Sequence, residues 1–119
     1  VIDDVLDVVA TDEQLGKPAG NDLVEGVYTL PVIRALAGPA GQQLRHLLGG
    51  PIDAAARDQA RDLVRQDEAM GSAMATAVDY TNRARSALND LSPTPALATL
   101  QMTCDLLLDR ANDVTGTHF

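Results

Sequence analysis

The sequence has few aromatic residues and almost no cysteine. Its 119 residues include no Trp, one Phe, two Tyr and one Cys. A single cysteine excludes a disulfide within the chain and is typical of a reducing compartment. Alanine and leucine are abundant and are strong helix formers, whereas the aromatic residues that favour strands are scarce. We therefore expect one all-α segment over residues 1–119.

Basic residues and long apolar runs are also scarce. The net charge of -8 and the pI of about 4.4 argue against nucleic acid or an anionic membrane surface as a partner. No apolar run approaches the length of a membrane span, and Val1–Asp4 does not resemble a signal peptide. The sequence predicts a cytoplasmic protein with no nucleic-acid partner and no stable membrane insertion.

An acidic cluster, Asp3, Asp4 and Asp7, lies at the start of the chain. On a helix, Asp3 and Asp7 share a face and Asp4 lies beside them. Such like charges are tolerated at the positive N-terminal end of a helix, or where carboxylates bind a hard cation. Mg²⁺ suits the second alternative, because it combines one or two carboxylates with waters and substrate phosphates. Both alternatives are open from the pattern alone.

The only lysine of the chain, Lys17, lies in a Gly-Lys-Pro turn ten residues after Asp7. Lysine is a mobile point charge that suits phosphate oxygens, and the glycine and proline hold the chain in a bent path. Taken alone, Lys17 is more simply a solvated surface charge. Its conjunction with the acidic cluster favours a site for a phosphate-bearing ligand.

These motifs carry a family resemblance. Asp3–Asp7 and Gly16–Leu23, followed by Thr29-Leu30-Pro31, resemble the second aspartate-rich motif and following loop of the trans-isoprenyl diphosphate synthases, or polyprenyl synthetases. The sequence departs from the family at Val27, where a basic residue is common. It has no counterpart of the family's first aspartate-rich motif. The resemblance therefore covers only the C-terminal part of a synthase.

The resemblance implies a helical bundle, the C-terminal part of an isoprenoid-synthase-type fold, and a Mg²⁺-dependent prenyltransferase. In this family an allylic diphosphate loses diphosphate, isopentenyl diphosphate attacks the resulting cation, and a proton is lost. By the match, Asp3 would bind Mg²⁺ directly, and Asp4 and Asp7 would do so through waters. Lys17 would donate to the diphosphate oxygens, and Asp22 would orient the loop or a metal-bound water. Members of the family are usually homodimers.

Two alternatives to a catalytic role are open. The chain could belong to a non-catalytic subunit of a heteromeric prenyl synthase, or to a helical interaction module whose aspartates only cap a helix. We expect the chain alone to lack activity, since the opposing half of the metal site has no counterpart in it. We also expect self-association, since a first helix whose partners lie elsewhere would expose Val1, Ile2, Val5 and Leu6.

The helix signals downstream predict a scaffold. We expect helices over 1–9, 30–37, 42–48, 54–66, 72–91 and 96–112, with a loop over 11–23. Thr29, Asp53 and Thr94 are predicted N-caps. Predicted inward positions include Leu30, Ile33, Leu36 and Ala37 on one helix and Leu97, Leu100, Cys104, Leu107 and Leu108 on the last.

The remaining polar and sulfur-containing residues suggest no second site. The basic stripe formed by Arg57, Arg61 and Arg65 is predicted to be a solvated face that pairs with interleaved aspartates. His46 and His118 lack partners at metal-ligand spacing, which argues against zinc. Cys104 is predicted to be a buried thiol on an apolar stripe.

Overall fold

The computed structural model describes residues 1–9 and 20–115, which form helices joined by short connections. In chain order the helices are α1 (Ile2–Val9), α2 (Asn21–Glu25), α3 (Leu30–Ala37), α4 (Gly41–Leu48), α5 (Ala54–Gln66), α6 (Glu68–Leu88) and α7 (Pro95–Thr115). No strand occurs within these two ranges, which confirms the predicted all-α class. The predicted loop over 11–23 is wrong at its end, because Asn21, Asp22 and Leu23 belong to α2.

Side-chain caps set the starts of the three long helices α5, α6 and α7, and the caps of α5 and α7 were predicted. Asp53 accepts a hydrogen bond from the Ala56 N–H at 2.8 Å, and α5 follows it. Thr94 Oγ1 accepts one from the Leu97 N–H at 3.1 Å in the first turn of α7. Both predicted caps are thus confirmed. Each satisfies an N–H that has no partner within its own helix.

The predicted helix over 72–91 differs at both ends. Helix α6 begins at Glu68 because Asp67 caps it, accepting from the Ala69 N–H at 2.8 Å. Gly71 and Ser72 therefore lie inside the helix, and the prediction that the chain restarts there is wrong. The helix also ends at Leu88, before the predicted Leu91.

Helix α3 buries only part of its predicted inward face, because Leu30 and Leu36 are half-buried against the core but Ile33 and Ala37 are exposed. Its buried residues are Pro31, Val32 and Ala35, whereas Ile33 is 53% exposed. Thr29 occupies the N-cap position, but its side chain makes no capping hydrogen bond. The face is selected by the neighbours α4 and α6, which pack on this short helix.

A close approach of two backbones joins α3 to α4. A Cβ atom added to Gly41 would lie 2.1 Å from the carbonyl oxygen of Leu36. The same oxygen accepts a hydrogen bond from Arg45 Nη2 at 3.0 Å. The predicted break between the helices over 30–37 and 42–48 is confirmed at Gly38-Pro39. Gly41 is the residue that lets the chain turn this tightly.

Helix α1 lies in the core rather than at an uncovered surface. Val5, Leu6 and Val8 are buried, and α1 packs against α5, α6 and α7. The expectation that the partners of α1 lie elsewhere and that Val5 and Leu6 are exposed is therefore wrong. Val1 is exposed and Ile2 is half-buried. The acidic motif is thus held by helices of this same chain.

Helices α6 and α7, which correspond to the helices predicted over 72–91 and 96–112, pack together as a helical hairpin. Leu97, Cys104 and Leu108 are buried on α7, as expected. Leu100 and Leu107 are 51% and 42% exposed, so their predicted inward positions are wrong. Because α7 carries leucines around much of its circumference, its periodicity does not single out one inward stripe.

Candidate metal and diphosphate site

The three aspartates of α1 differ in exposure. Asp3 is exposed, Asp4 is half-buried and Asp7 is only 3% exposed. Buried Val5, Leu6 and Val8 fix the rotation of α1 about its axis, which leaves Asp3 facing solvent. Asp3 is therefore the member of the cluster most accessible to a ligand.

Asp7 links α1 to α2. Its Oδ2 accepts a hydrogen bond from the Asp22 N–H at 3.3 Å, and its backbone oxygen accepts one from the Gly20 N–H at 2.9 Å. The other carboxylate oxygen, Oδ1, is buried and has no hydrogen-bond partner within the described part of the chain. A buried carboxylate oxygen without a partner is unfavourable, and a cation or an ordered water would satisfy it.

Asp22 lies in the first turn of α2, where an acidic side chain complements the positive end of the helix. Its carbonyl oxygen accepts a hydrogen bond from the Val27 N–H at 2.8 Å. Gly20 and Gly26 bracket α2 with left-handed backbone angles, φ 74° and 75°, which favour glycine. The 3.3 Å hydrogen bond brings the backbone of Asp22 next to the carboxylate of Asp7. Lys17 lies outside the described residues.

Two arginines of α5 reach the carboxyl end of α1. Arg61 Nε donates to the carbonyl oxygen of Val8 at 2.7 Å, and Arg65 Nη2 donates to the same oxygen at 3.1 Å. The predicted solvated, self-paired face is confirmed for Arg57, which pairs with Asp58 at 3.0 Å. Arg65 is exposed, as predicted, but both Arg61 and Arg65 also reach across to α1, a contact that the prediction did not include. Carbonyls of a last helical turn lack partners in their own helix and carry partial negative charge, so cations suit them.

These arginines were missed because their contact spans more than fifty residues of chain. Their i, i+4 spacing shows that they share a face but not what that face covers. The available signal was the end of α1 itself, since its last turn contains no basic residue of its own. A cation from another helix was therefore to be expected there.

The described residues fit a magnesium ion only in an open form. Within residues 1–9 and 20–115, no three His, Cys, Asp or Glu side chains converge where they could hold a metal ion. Mg²⁺ does not need such a cage, since it keeps several waters and is bound through one or two carboxylates plus substrate phosphates. Exposed Asp3 and the unpartnered Oδ1 of Asp7 fit that mode.

The remaining sequence predictions concern Cys104, His46 and His118. Cys104 is a buried free thiol, as predicted. His46 is exposed on α4, and His118 lies outside the described residues. Among the helices that the structure describes, none is long and apolar enough to cross a membrane.

A model of known families identifies the chain. The family described as polyprenyl synthetase matches residues 1–66. The chain belongs to the polyprenyl synthetase family. The match contains the acidic motif of α1, Lys17 and Asp22, and it ends with α5, so the arginines that hold α1 lie within the matched region. The resemblance stated from the sequence motifs is confirmed.

Individual members of the family match over a part of their length. Heptaprenyl diphosphate synthase component 2 of Bacillus subtilis is 35% identical over 91 residues, covering 76% of this chain and 26% of that protein. Nonaprenyl diphosphate synthase of Mycobacterium tuberculosis is 34% identical over 113 residues, covering 92% and 34%. Short chain isoprenyl diphosphate synthase of Methanothermobacter thermautotrophicus is 34% identical over 110 residues, covering 91% and 34%.

The chain therefore spans about a third or less of the length of these relatives. The relatives include both short-chain and long-chain synthases by name, so the comparison indicates no product length. No solved structure gives a significant match.

Proposed function

We propose that the intact protein containing this chain is a prenyltransferase that condenses isopentenyl diphosphate with an allylic diphosphate. The observation that carries the proposal is the acidic motif of α1, which lies inside the region matched by the polyprenyl synthetase family. In this motif Asp3 is exposed, and Asp7 accepts a hydrogen bond from the Asp22 amide. The similar proteins named as diphosphate synthases support the same chemistry.

The proposed reaction begins with loss of diphosphate. The allylic C–O bond breaks and its electron pair leaves on the diphosphate, the double bond of isopentenyl diphosphate forms the new C–C bond, and a proton is then lost. The barrier is charge separation, which fixed cations near the leaving group lower. In this proposal Lys17 is the catalytic residue that donates to the diphosphate oxygens.

The proposed cofactor is Mg²⁺, held directly by Asp3 and through waters by Asp4 and Asp7. When bound, it stabilises negative charge on the departing diphosphate. Asp7 additionally accepts from the Asp22 amide, so the carboxylate that would hold a metal-bound water also holds the start of α2. Asp22 would orient this segment toward the diphosphate.

A homodimer in the cytoplasm is the proposed state of the intact protein. The single cysteine of this chain supports a reducing compartment. A heteromeric enzyme is a second candidate, favoured by one observation: the B. subtilis relative is named as component 2 of a heptaprenyl diphosphate synthase. In that case the chain would act with a different subunit.

The deciding experiment measures incorporation of labelled isopentenyl diphosphate into prenyl product, with Mg²⁺ and an allylic primer. The intact reading frame that encodes this chain is compared with residues 1–119 alone. We expect product from the intact protein and none from the chain. Product from the chain alone would refute the expectation that half of the site lies elsewhere.

The two alternatives give different results in the same assay. Product that forms only after a second protein is added would favour the heteromeric enzyme. An intact, folded protein that neither forms product nor binds diphosphate in the presence of Mg²⁺ would favour a helical interaction module whose aspartates only cap α1.

A further inference from the structure

We infer that Arg61 and Arg65 are positioning residues that fix the carboxyl end of α1 and thereby set the affinity of its aspartates for a divalent cation. The inference rests on the proposed function and extends it to α5, a helix without a proposed role. Both guanidinium groups donate to the carbonyl oxygen of Val8, at 2.7 and 3.1 Å.

The two arginines form one clamp. They are one turn apart on α5, so they share a face, and both bonds end on the same oxygen. That oxygen belongs to the last turn of α1, whose carbonyls have no partner further along the helix. Arg61 is half-buried, which limits competition from water for its bond.

The clamp also adjoins the start of α2. A Cβ atom added to Gly20 would lie 3.2 Å from Arg57 Cγ and 3.6 Å from Arg61 Cδ, so the stems of these arginines pack against Gly20. Gly20 donates to the backbone oxygen of Asp7. The end of α1 and the start of α2 thus lie together on one face of α5, joined to each other through Asp7.

This arrangement determines where the aspartates point. Asp3 lies about 7.5 Å from Val8 along the axis of α1. A rigid helix transmits a tilt at one of these positions to the other. Groups that orient metal ligands typically change metal affinity or activity by about 10- to 100-fold when they are removed. Arg61 makes the shorter of the two bonds. We expect its removal to weaken metal affinity by about tenfold, the lower limit of this range.

The test measures binding of Mn²⁺ in the presence of inorganic pyrophosphate by electron paramagnetic resonance, using the protein from the intact reading frame. We expect Arg61→Gln to weaken Mn²⁺ binding about tenfold, because glutamine is too short to reach Val8. Arg61→Lys should recover most of the affinity, since lysine restores a charged donor. The control is Arg83→Gln, which removes the same charge from an exposed pair with Asp79 on α6 and should leave the affinity unchanged.

A purely structural role is distinguished by thermal unfolding. If Arg61 had only a structural role, Arg61→Gln would have a lower melting temperature, but its correctly folded fraction would bind Mn²⁺ with unchanged affinity. That result would overturn the inference. If Arg61→Gln does not fold, Arg65→Gln tests the longer bond of the same clamp, with an expected loss of about threefold. An unchanged affinity in that variant would likewise overturn the inference.

The inference and the proposed function can fail separately. If the wild-type protein binds Mn²⁺ with pyrophosphate but forms no prenyl product, the proposed function fails and the arginine variants still decide the inference. If the wild-type protein forms product and Arg61→Gln binds Mn²⁺ normally, only the inference fails. If the wild-type protein binds no Mn²⁺, there is no site to position and the inference is refuted.

Discussion

The aspartates of α1 combine identical chemistry with different surroundings. Asp7 is buried and accepts the Asp22 N–H, so part of its carboxylate serves the fold. Asp3 is exposed, and no hydrogen bond or ion pair holds it among the described contacts. Removal of Asp3 should therefore affect ligand binding far more than stability.

We predict that Asp3→Ala in the intact protein lowers turnover by at least about a hundredfold, because a direct metal ligand acts on the transition-state charge. The measurement is incorporation of labelled isopentenyl diphosphate at saturating Mg²⁺, with the melting temperature measured in parallel. Asp79→Ala is the matched control, since Asp79 is exposed and its ion-pair partner on α6 is Arg83. Full activity in Asp3→Ala would remove Asp3 from the proposed metal site.

At the scale of the helices, alanine substitution is expected to have opposite effects on stability at two glycines, Gly41 and Gly71. Gly41 has a backbone oxygen where a Cβ would lie, whereas Gly71 is inside α6 with nothing within 4 Å of an added Cβ. Gly41→Ala should destabilise the fold by about 1–3 kcal/mol, as overpacking does. Gly71→Ala should stabilise it by about 0.5–1 kcal/mol, because alanine loses less entropy in a helix. Urea unfolding of both variants tests the pair, and equal effects would contradict it.

The helix caps provide a second matched pair. Asp53 accepts a hydrogen bond from the Ala56 N–H, whereas Thr29 occupies the N-cap of α3 without making one. Asp53→Ala should therefore lower the free energy of unfolding by about 1 kcal/mol. Thr29→Ala should change it by less than about 0.5 kcal/mol. A larger loss from Thr29→Ala would show that its hydroxyl caps α3 in solution.

Short-range signals predicted the helices well. Asp53 and Thr94 mark helix starts because a cap is a contact across three residues. The inward faces were harder, as Ile33 and Leu107 show, since helices that are apolar on several sides do not identify their own buried stripe. The family motifs named Asp3, Asp4, Asp7, Lys17 and Asp22. The clamp at Val8 could not be predicted, because it depends on how α5 lies against α1.

At the scale of the whole molecule, the buried core cluster lies in the helices that precede α7. Helices α1 and α3 to α6 contribute most of the buried core cluster. Helix α7 instead leaves much apolar surface in water, since Leu100, Met102 and Leu106 are 51%, 61% and 61% exposed. The predicted source of exposed surface, α1, is thus covered, and the expectation of self-association depends on α7.

We predict that residues 1–119 self-associate in solution through α7, because its exposed apolar side chains favour association by removing their surface from water. Leu100→Glu combined with Leu106→Glu should lower the mean mass measured by light scattering toward that of the monomer. Ala98→Glu combined with Thr103→Glu adds the same charge to exposed positions of α7 without removing a large apolar side chain, and should leave association unchanged. A wild-type chain that stays monomeric at high concentration would contradict the prediction. Equal dissociation in both double variants would show that net charge, and not the leucines, controls association.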